Sequence, residues 1–194
     1  MSLVLGSAVG LATQIQQSYG TQLDDAVAQQ EARYALDWIA RDLRSAGSDP
    51  YSVIPDDQQV WIDPNGGGDN DDSIRIEADI HCTPGCDPNP DGPDGDNADP
   101  DEIITIALDP ATNTITRRDH NAGELVGVAM TEPVFTDLSF TWLDTDKNET
   151  AVSTSVAYVR VEVTARSKAR NQFAASDDGF TTTVLSTEVR LRTR

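Results

Sequence analysis

The sequence predicts an α+β fold: a long N-terminal α-helix packed on an antiparallel β-sheet, with acidic loop insertions between them. Three observations predict it. No proline occurs before Pro50, and residues 31–46 carry apolar side chains at helical spacing. From Glu102 onward the apolar period switches to two. Between these parts, residues 48–101 are dominated by Asp, Gly, Pro and Asn, the residues of turns.

The helix is clearest over EARYALDWIARDLRSAG. Ala32, Ala35, Leu36, Ile39 and Leu43 form an i, i+3, i+4, i+7 stripe, and Ala32, Leu36, Ile39 and Leu43 are its expected seam with the sheet. Asp37 and Arg41 stand at i, i+4 and can pair on the flank. Gly47 supplies the C′ stop, and Pro50 bars continuation. Upstream the character changes. Leu3, Val4, Leu5, Val9, Leu11 and Ile15 lie in a stretch almost free of charge. It is too short for a membrane span of about 20 residues, and it lacks the basic flank of a secretory signal. No other part of the chain is an obvious partner for it. Residues 1–30 are therefore expected to project as a helix half, and 31–194 to form the globular domain.

Short apolar runs break the loop region. Val60-Trp61-Ile62 is one; SIRIEADI is another, with Ile74, Ile76, Ala78 and Ile80 on one face. EIITIAL and NTITRR flank Asp109-Pro110-Ala111-Thr112 and read as a β-hairpin. VFTDLSFTWL is a further strand. In SVAYVRVEVTARS, Ala157, Val159, Val161, Val163 and Ala165 alternate with polar neighbours, the mark of a half-buried antiparallel strand. TTTVLSTEVRLRTR is the last strand. A helix stripe laid on one sheet face gives the α+β arrangement.

Composition narrows the function. The formal charge is −19, from 33 acids against 14 bases. Such a surface repels nucleic acid and anionic lipid, and suits calcium, a basic partner or a salty exterior. His81 and His120 are the only histidines, too few for a histidine-based catalytic or zinc constellation. Gly66-Gly67-Gly68 has no following helix or lysine and is no phosphate loop. No paired carboxylate has a base nearby, so no enzyme activity is expected. Trp38, Trp61 and Trp142 read as packing residues.

The order of elements, with these residues, resembles the type IV pilin superfamily, and most closely the PilW-type minor pilins. MSLVLGSAVGLATQIQQSY looks like the interior of that family's N-terminal helix, which begins after a leader with Gly-Phe-Thr/Ser-Leu-x-Glu. QQEARYALDWIARDLRSAG is similar to the family's amphipathic helix end, with its Ala-Leu pair, Arg-Asp-Leu-Arg run and Ala-Gly stop. EIITIALDPATNTITRR, EPVFTDLSFTWLDTDKNE, SVAYVRVEVTARS and EVRLRTR match in style. The resemblance implies a structural or priming subunit of a bacterial pilus, at or near its tip. Its partners would be other minor and major pilins, met through the N-terminal helix, and before assembly the inner membrane. The globular domain would be periplasmic or extracellular. The resemblance extends to the minor pseudopilins of type II secretion systems, the GspJ class. A calcium-dependent surface adhesion module is the reading from a different class.

Within DPNPDGPDGDNADPDE, Asp87, Asn89 and Asp91 fall at positions 1, 3 and 5 of a calcium loop, with Gly92 at the sharp turn. Position 12 is Ala98 rather than Glu; Asp94, Asp96, Asp99 or Asp101 would complete the oxygen shell. A solvated acidic loop is the bland alternative. Asp63, Asn65, Asp69 and Asp71 read as a turn. Asp144, Asp146 and Asn148 share the 1, 3, 5 spacing, but Glu149 replaces the glycine and a plain hairpin turn is expected. Cys82 and Cys86 enclose Thr83-Pro84-Gly85, a turn that brings them together and suits a small disulfide in an oxidising compartment. The rival, zinc held by His81, Cys82 and Cys86, lacks a fourth ligand and the usual spacing.

Overall fold

The computed structural model describes residues 2–48, 60–62, 72–80, 93–152, 155–170 and 179–191, with the side chains of 2–13, 17 and 60–62 outside that description. Helix α1 runs Ser2–Ser45, 44 residues, about 66 Å at 1.5 Å per residue. Eight strands follow: β1 (Val60–Ile62), β2 (Ser73–Glu77), β3 (Ile103–Asp109), β4 (Thr114–Asp119), β5 (Val128–Ala129), β6 (Phe135–Leu143), β7 (Tyr158–Arg166) and β8 (Thr182–Arg190). All described strand pairs are antiparallel. The chain is thus an α+β protein with one N-terminal helix. The single sheet expected from the sequence is in fact two, a five-stranded sheet in the order β1-β2-β3-β4-β5 and a three-stranded sheet in the order β6-β7-β8.

The helix packs on β7 and β8. Ala28, Ala32, Ala35, Leu36, Ile39 and Leu43 are buried in that seam and share one core with Val159, Val161, Val163 and Val189. Alanines predominate at the helix's entry into the seam, and their short side chains let the backbone lie close to the sheet. On the other flank β6 packs against the five-stranded sheet, where Ile74, Ile76, Ile104, Ile106 and Ile115 are fully buried. A bulge on β6 at Thr136 shifts the register between Phe135 and Asp137. Without the extra residue, Phe135 and Leu138 would face opposite sides; with it both are buried.

The helix ends at Gly47, whose φ of 70° is left-handed and suits glycine. Its amide donates to the Glu77 carbonyl at 3.2 Å, and the Asp79 amide donates to the Ser48 carbonyl. The helix end is therefore tied to the end of β2. On the flank, Arg41 lies 3.9 Å from Asp42, not paired with Asp37. Asp42 in turn binds Arg117 of β4 at 3.1 Å. The partner of Asp42 thus lies 75 residues away in the chain.

The turns at 109–112 and 144–148 are each closed by a carboxylate. Asp109 accepts from the Thr112 hydroxyl (2.7 Å) and the Ala111 amide (2.9 Å). Asp144 accepts from the amides of Asn148 (2.9 Å) and Asp146 (2.8 Å). These bonds hold both carboxyls below the usual carboxylate range. A folded value below the unfolded one means that the unfolded chain binds the proton first. The stability these turns add is present above the unfolded value, about 3.9 for Asp, and is lost as pH falls through the folded values. The Asp109→Ala/Asp144→Ala double variant should therefore lose less stability than the parent between about pH 5 and pH 2. Urea melts across that range check it; identical acid limbs would show that the turn carboxylates contribute nothing.

Candidate functional site

The loop from 93 to 102 brings Asp94, Asp96 and Asp99 together. One carboxylate oxygen from each lies within 4.8 Å of the others, Asp94 and Asp96 at the surface and Asp99 buried. Three hard oxygens at this spacing form an acidic triad that can hold a metal ion.

The triad is built by a second set of acids behind it. Asp79, fully buried, accepts from the amides of Asp94 (3.1 Å) and Gly95 (3.2 Å). Glu102, 1% exposed, accepts from the amides of Ile80 (2.9 Å) and Asp99 (3.0 Å). Glu77 accepts from the Asn97 side chain at 3.1 Å and pairs with Arg75 at 2.6 Å. Asp119 accepts from the amides of Asp101 (2.7 Å), Asn121 (3.0 Å) and Ala122 (3.1 Å). The Asn121 side chain reaches back to the carbonyls of Asn97 and Asp99, both at 2.8 Å. An acid ring thus replaces the strand ladder as the partner of the loop's backbone. The reason is the composition of the loop: Pro, Gly, Asp and Asn cannot sustain a ladder, so their amides need side-chain acceptors.

Within the loop, Asp94 accepts from the Asp96 amide (3.2 Å) and Asp96 from the Ala98 amide (2.9 Å). These two short turns hold the carboxylates on one side. Asp101 points away: its carboxylate binds Arg117 at 2.6 Å and is no member of the triad. The carboxylate of Asp144 closes its own hairpin, so that turn is no ion shell. Asp87, Asn89, Asp91, Cys82, Cys86 and the 63–71 turn lie outside the described residues.

Beside the loop, Arg117 holds two carboxylates, Asp42 of the helix and Asp101 of the loop. Burial pushes the Asp42 carboxyl up, outweighing the pull of Arg117. Burial also opposes the Arg117 charge, but Asp101 and Asp42 together raise it above its ordinary value. The two shifts pull in opposite senses for the same bridge. The geometry reconciles them: one guanidinium shared by two acids is doubly favoured, while the more buried acid receives half a partner. A cleft of about 540 Å³ opens here, lined by Trp38, Asp42, Ile104, Arg117 and Met130 among others.

A second feature lies on the helix. Ile15, Tyr19 and Leu23 are 61%, 71% and 56% exposed, one turn apart at i, i+4, i+8. They form an apolar stripe on the part of α1 that precedes the seam. Among the described residues no helix is long and apolar enough to cross a membrane.

Comparison with protein-family models, with curated proteins and with solved structures gives no match.

Sequence reasoning did not single out Asp79, Glu102, Asp119 or Arg117. A faint signal was present for the first: in EADI, Glu77 and Asp79 occupy the phase opposite Ala78 and Ile80, and all but Ile80 are buried. Burial in both phases at a strand end, with acids filling one of them, marks here a place where a loop's amides are received.

Proposed function

We propose that this chain is a minor subunit of a type IV pilus-like filament. The observation that carries the reading is the exposed stripe of Ile15, Tyr19 and Leu23 on a helix whose later turns are buried. A helix face of that kind is unfavourable in water and is satisfied by a neighbouring helix. The small residues upstream, Gly6, Ser7, Ala8, Gly10 and Ala12, permit close helix approach. Before assembly the same segment would lie in the inner membrane, and on assembly it would exchange lipid for sister helices. The globular domain would then stand on the filament surface or at its tip.

The decisive experiment pairs deletion with a stripe variant. Deletion of the gene should reduce surface pili. The Tyr19→Asp/Leu23→Asp variant should melt within about 0.5 kcal/mol of the parent, because both sites are exposed, yet fail to restore piliation. Normal piliation in the deletion strain, or full rescue by the variant, would overturn the reading.

A second element of the proposal is calcium at the acidic triad. Three carboxylates within 4.8 Å repel one another, and a hard cation that takes six to eight oxygens relieves that repulsion. Asp94, Asp96 and Asp99 would supply protein ligands, with Asp87, Asn89 and Asp91 upstream as further oxygen donors. Bound there, the ion would stiffen the loop that the filament presents to its surroundings, which is also what a calcium-dependent adhesion surface requires.

A further inference from the structure

We propose that Asn148 is a site of N-linked glycosylation. The inference rests on the reading above only in requiring that the domain lie outside the cytoplasm. Of the chain's eight asparagines, Asn148 alone is followed two residues later by a hydroxyl residue, in Asn148-Glu149-Thr150. That pattern is the acceptor motif of oligosaccharyl transfer, and the fold decides whether it can be used.

Three features favour its use. Asn148 is exposed, at the end of the β6–β7 turn. Its backbone is fixed, the amide donating to Asp144 and the carbonyl accepting from the Asp144 amide, while among the described residues its side-chain nitrogen makes one hydrogen bond, 3.5 Å to Asp144, at the outer limit of such a bond. Glu149 sits in a β-bridge with Leu143. Residues two apart across an extended position point to one face, so the Asn148 amide and the Thr150 hydroxyl are presented together. The Thr150 oxygen accepts from the Val152 amide at 3.1 Å, a bond that leaves the hydroxyl proton available to a transferase. Lys147, at a φ of 63°, turns the chain immediately before the motif and is anchored to Glu188 of β8 at 2.7 Å. The acceptor therefore stands on the turn 144–148, which the Asp144 bonds and the Leu143–Glu149 bridge hold in place.

The donor is an oligosaccharide linked through diphosphate to a polyprenyl lipid. The Asn148 side-chain nitrogen attacks the anomeric carbon of the first sugar. The nitrogen–carbon bond forms as the carbon–oxygen bond to diphosphate breaks. The polyprenyl diphosphate leaves with that electron pair, and the amide gives up one proton. Nothing is oxidised or reduced.

The test is mass mapping of the protein recovered from the cell envelope and filaments of its own host. The fragment containing Asn148 should carry sugar mass in the parent and in Thr150→Ser, and none in Asn148→Gln, which keeps the backbone bonds of the turn and should melt with the parent. Unmodified Asn148 in envelope-located protein would overturn the inference and leave the filament reading standing. A second arm is independent of location. Purified folded protein is incubated with an oligosaccharyltransferase and its lipid-linked donor. Transfer to Asn148 supports the inference; no transfer, while a free peptide spanning the motif is glycosylated, overturns it. Recovery of the chain only from the cytoplasm would instead fail the filament reading.

Discussion

Replacing Ile39 with Asp is expected to abolish folding at 25 °C. Ile39 is fully buried in the seam between the helix and the three-stranded sheet, one turn from Ala35 and Leu43, which are equally buried. The substitution removes about 2–3 kcal/mol of apolar burial. It also places a carboxylate where the surrounding side chains, Val159, Val161 and Val163 among them, are hydrocarbon. An unpaired buried charge costs several kcal/mol more, even after the group takes up a proton. Together these reach the whole margin of a typical domain, about 5–15 kcal/mol. By contrast Ile39→Val, which leaves only a methyl-sized gap, should cost about 0.5–1.5 kcal/mol. Far-UV circular dichroism and urea melts on both variants provide the check. A soluble Ile39→Asp protein that still melts cooperatively would show that the helix does not rest on this sheet through this stripe.

The contrast between Ile39 and Leu23 explains how much of the fold could be read in advance. Both lie on one helix and both are apolar, so helical spacing alone finds each. Spacing does not say which partner lies opposite. Residues 32–43 have a sheet in the same chain whose alternation, Val159 to Ala165, is equally regular; both signals are local and strong. The pairing of strands is not local. The split into two sheets depends on which edge β6 joins, and its bulge at Thr136 is set by tertiary packing rather than by the neighbouring residues. The Asp42–Arg117 bridge was hidden for the same reason, since its partners lie 75 residues apart and helical spacing reports only local pairs. At the acidic loop, spacing singled out Asp87, Asn89 and Asp91, which lie outside the described residues, and named Asp94, Asp96, Asp99 or Asp101 only as acids to complete the shell. It did not show the buried acids that hold them, because Asp79, Glu102 and Asp119 look like ordinary polar residues at strand ends. Their role is visible only once the loop's amides are counted against acceptors.

That accounting makes Glu102→Ala the more informative lesion of the candidate site. The Glu102 carboxylate receives the amides of Ile80 and Asp99. Alanine leaves both donors without this acceptor, in a place only 1% exposed. At about 1–3 kcal/mol for each unsatisfied buried donor, the loss should be roughly 3 kcal/mol, or about 6–12 °C in Tm for a chain of this length. The consequence for ion binding is separate and follows from geometry. Asp99 is the buried corner of the triad, and its backbone is fixed by this bond. If calcium binds with a Kd near 1 mM, as in extracellular modules, 10 mM calcium should add about 1.4 kcal/mol to the parent, a rise of about 3–6 °C. A chain of formal charge −19 is stabilised by any cation through screening, so the rise must be measured against magnesium at equal ionic strength. Asp96→Asn should lower the calcium-specific part while leaving the fold at nearly parental stability, since Asp96 is exposed. Glu102→Ala should lose both. Equal effects of calcium and magnesium on the parent would remove the metal proposal. A Glu102→Ala protein with parental Tm would show that the buried acids are bystanders, and that something other than Glu102 holds the loop against the sheet.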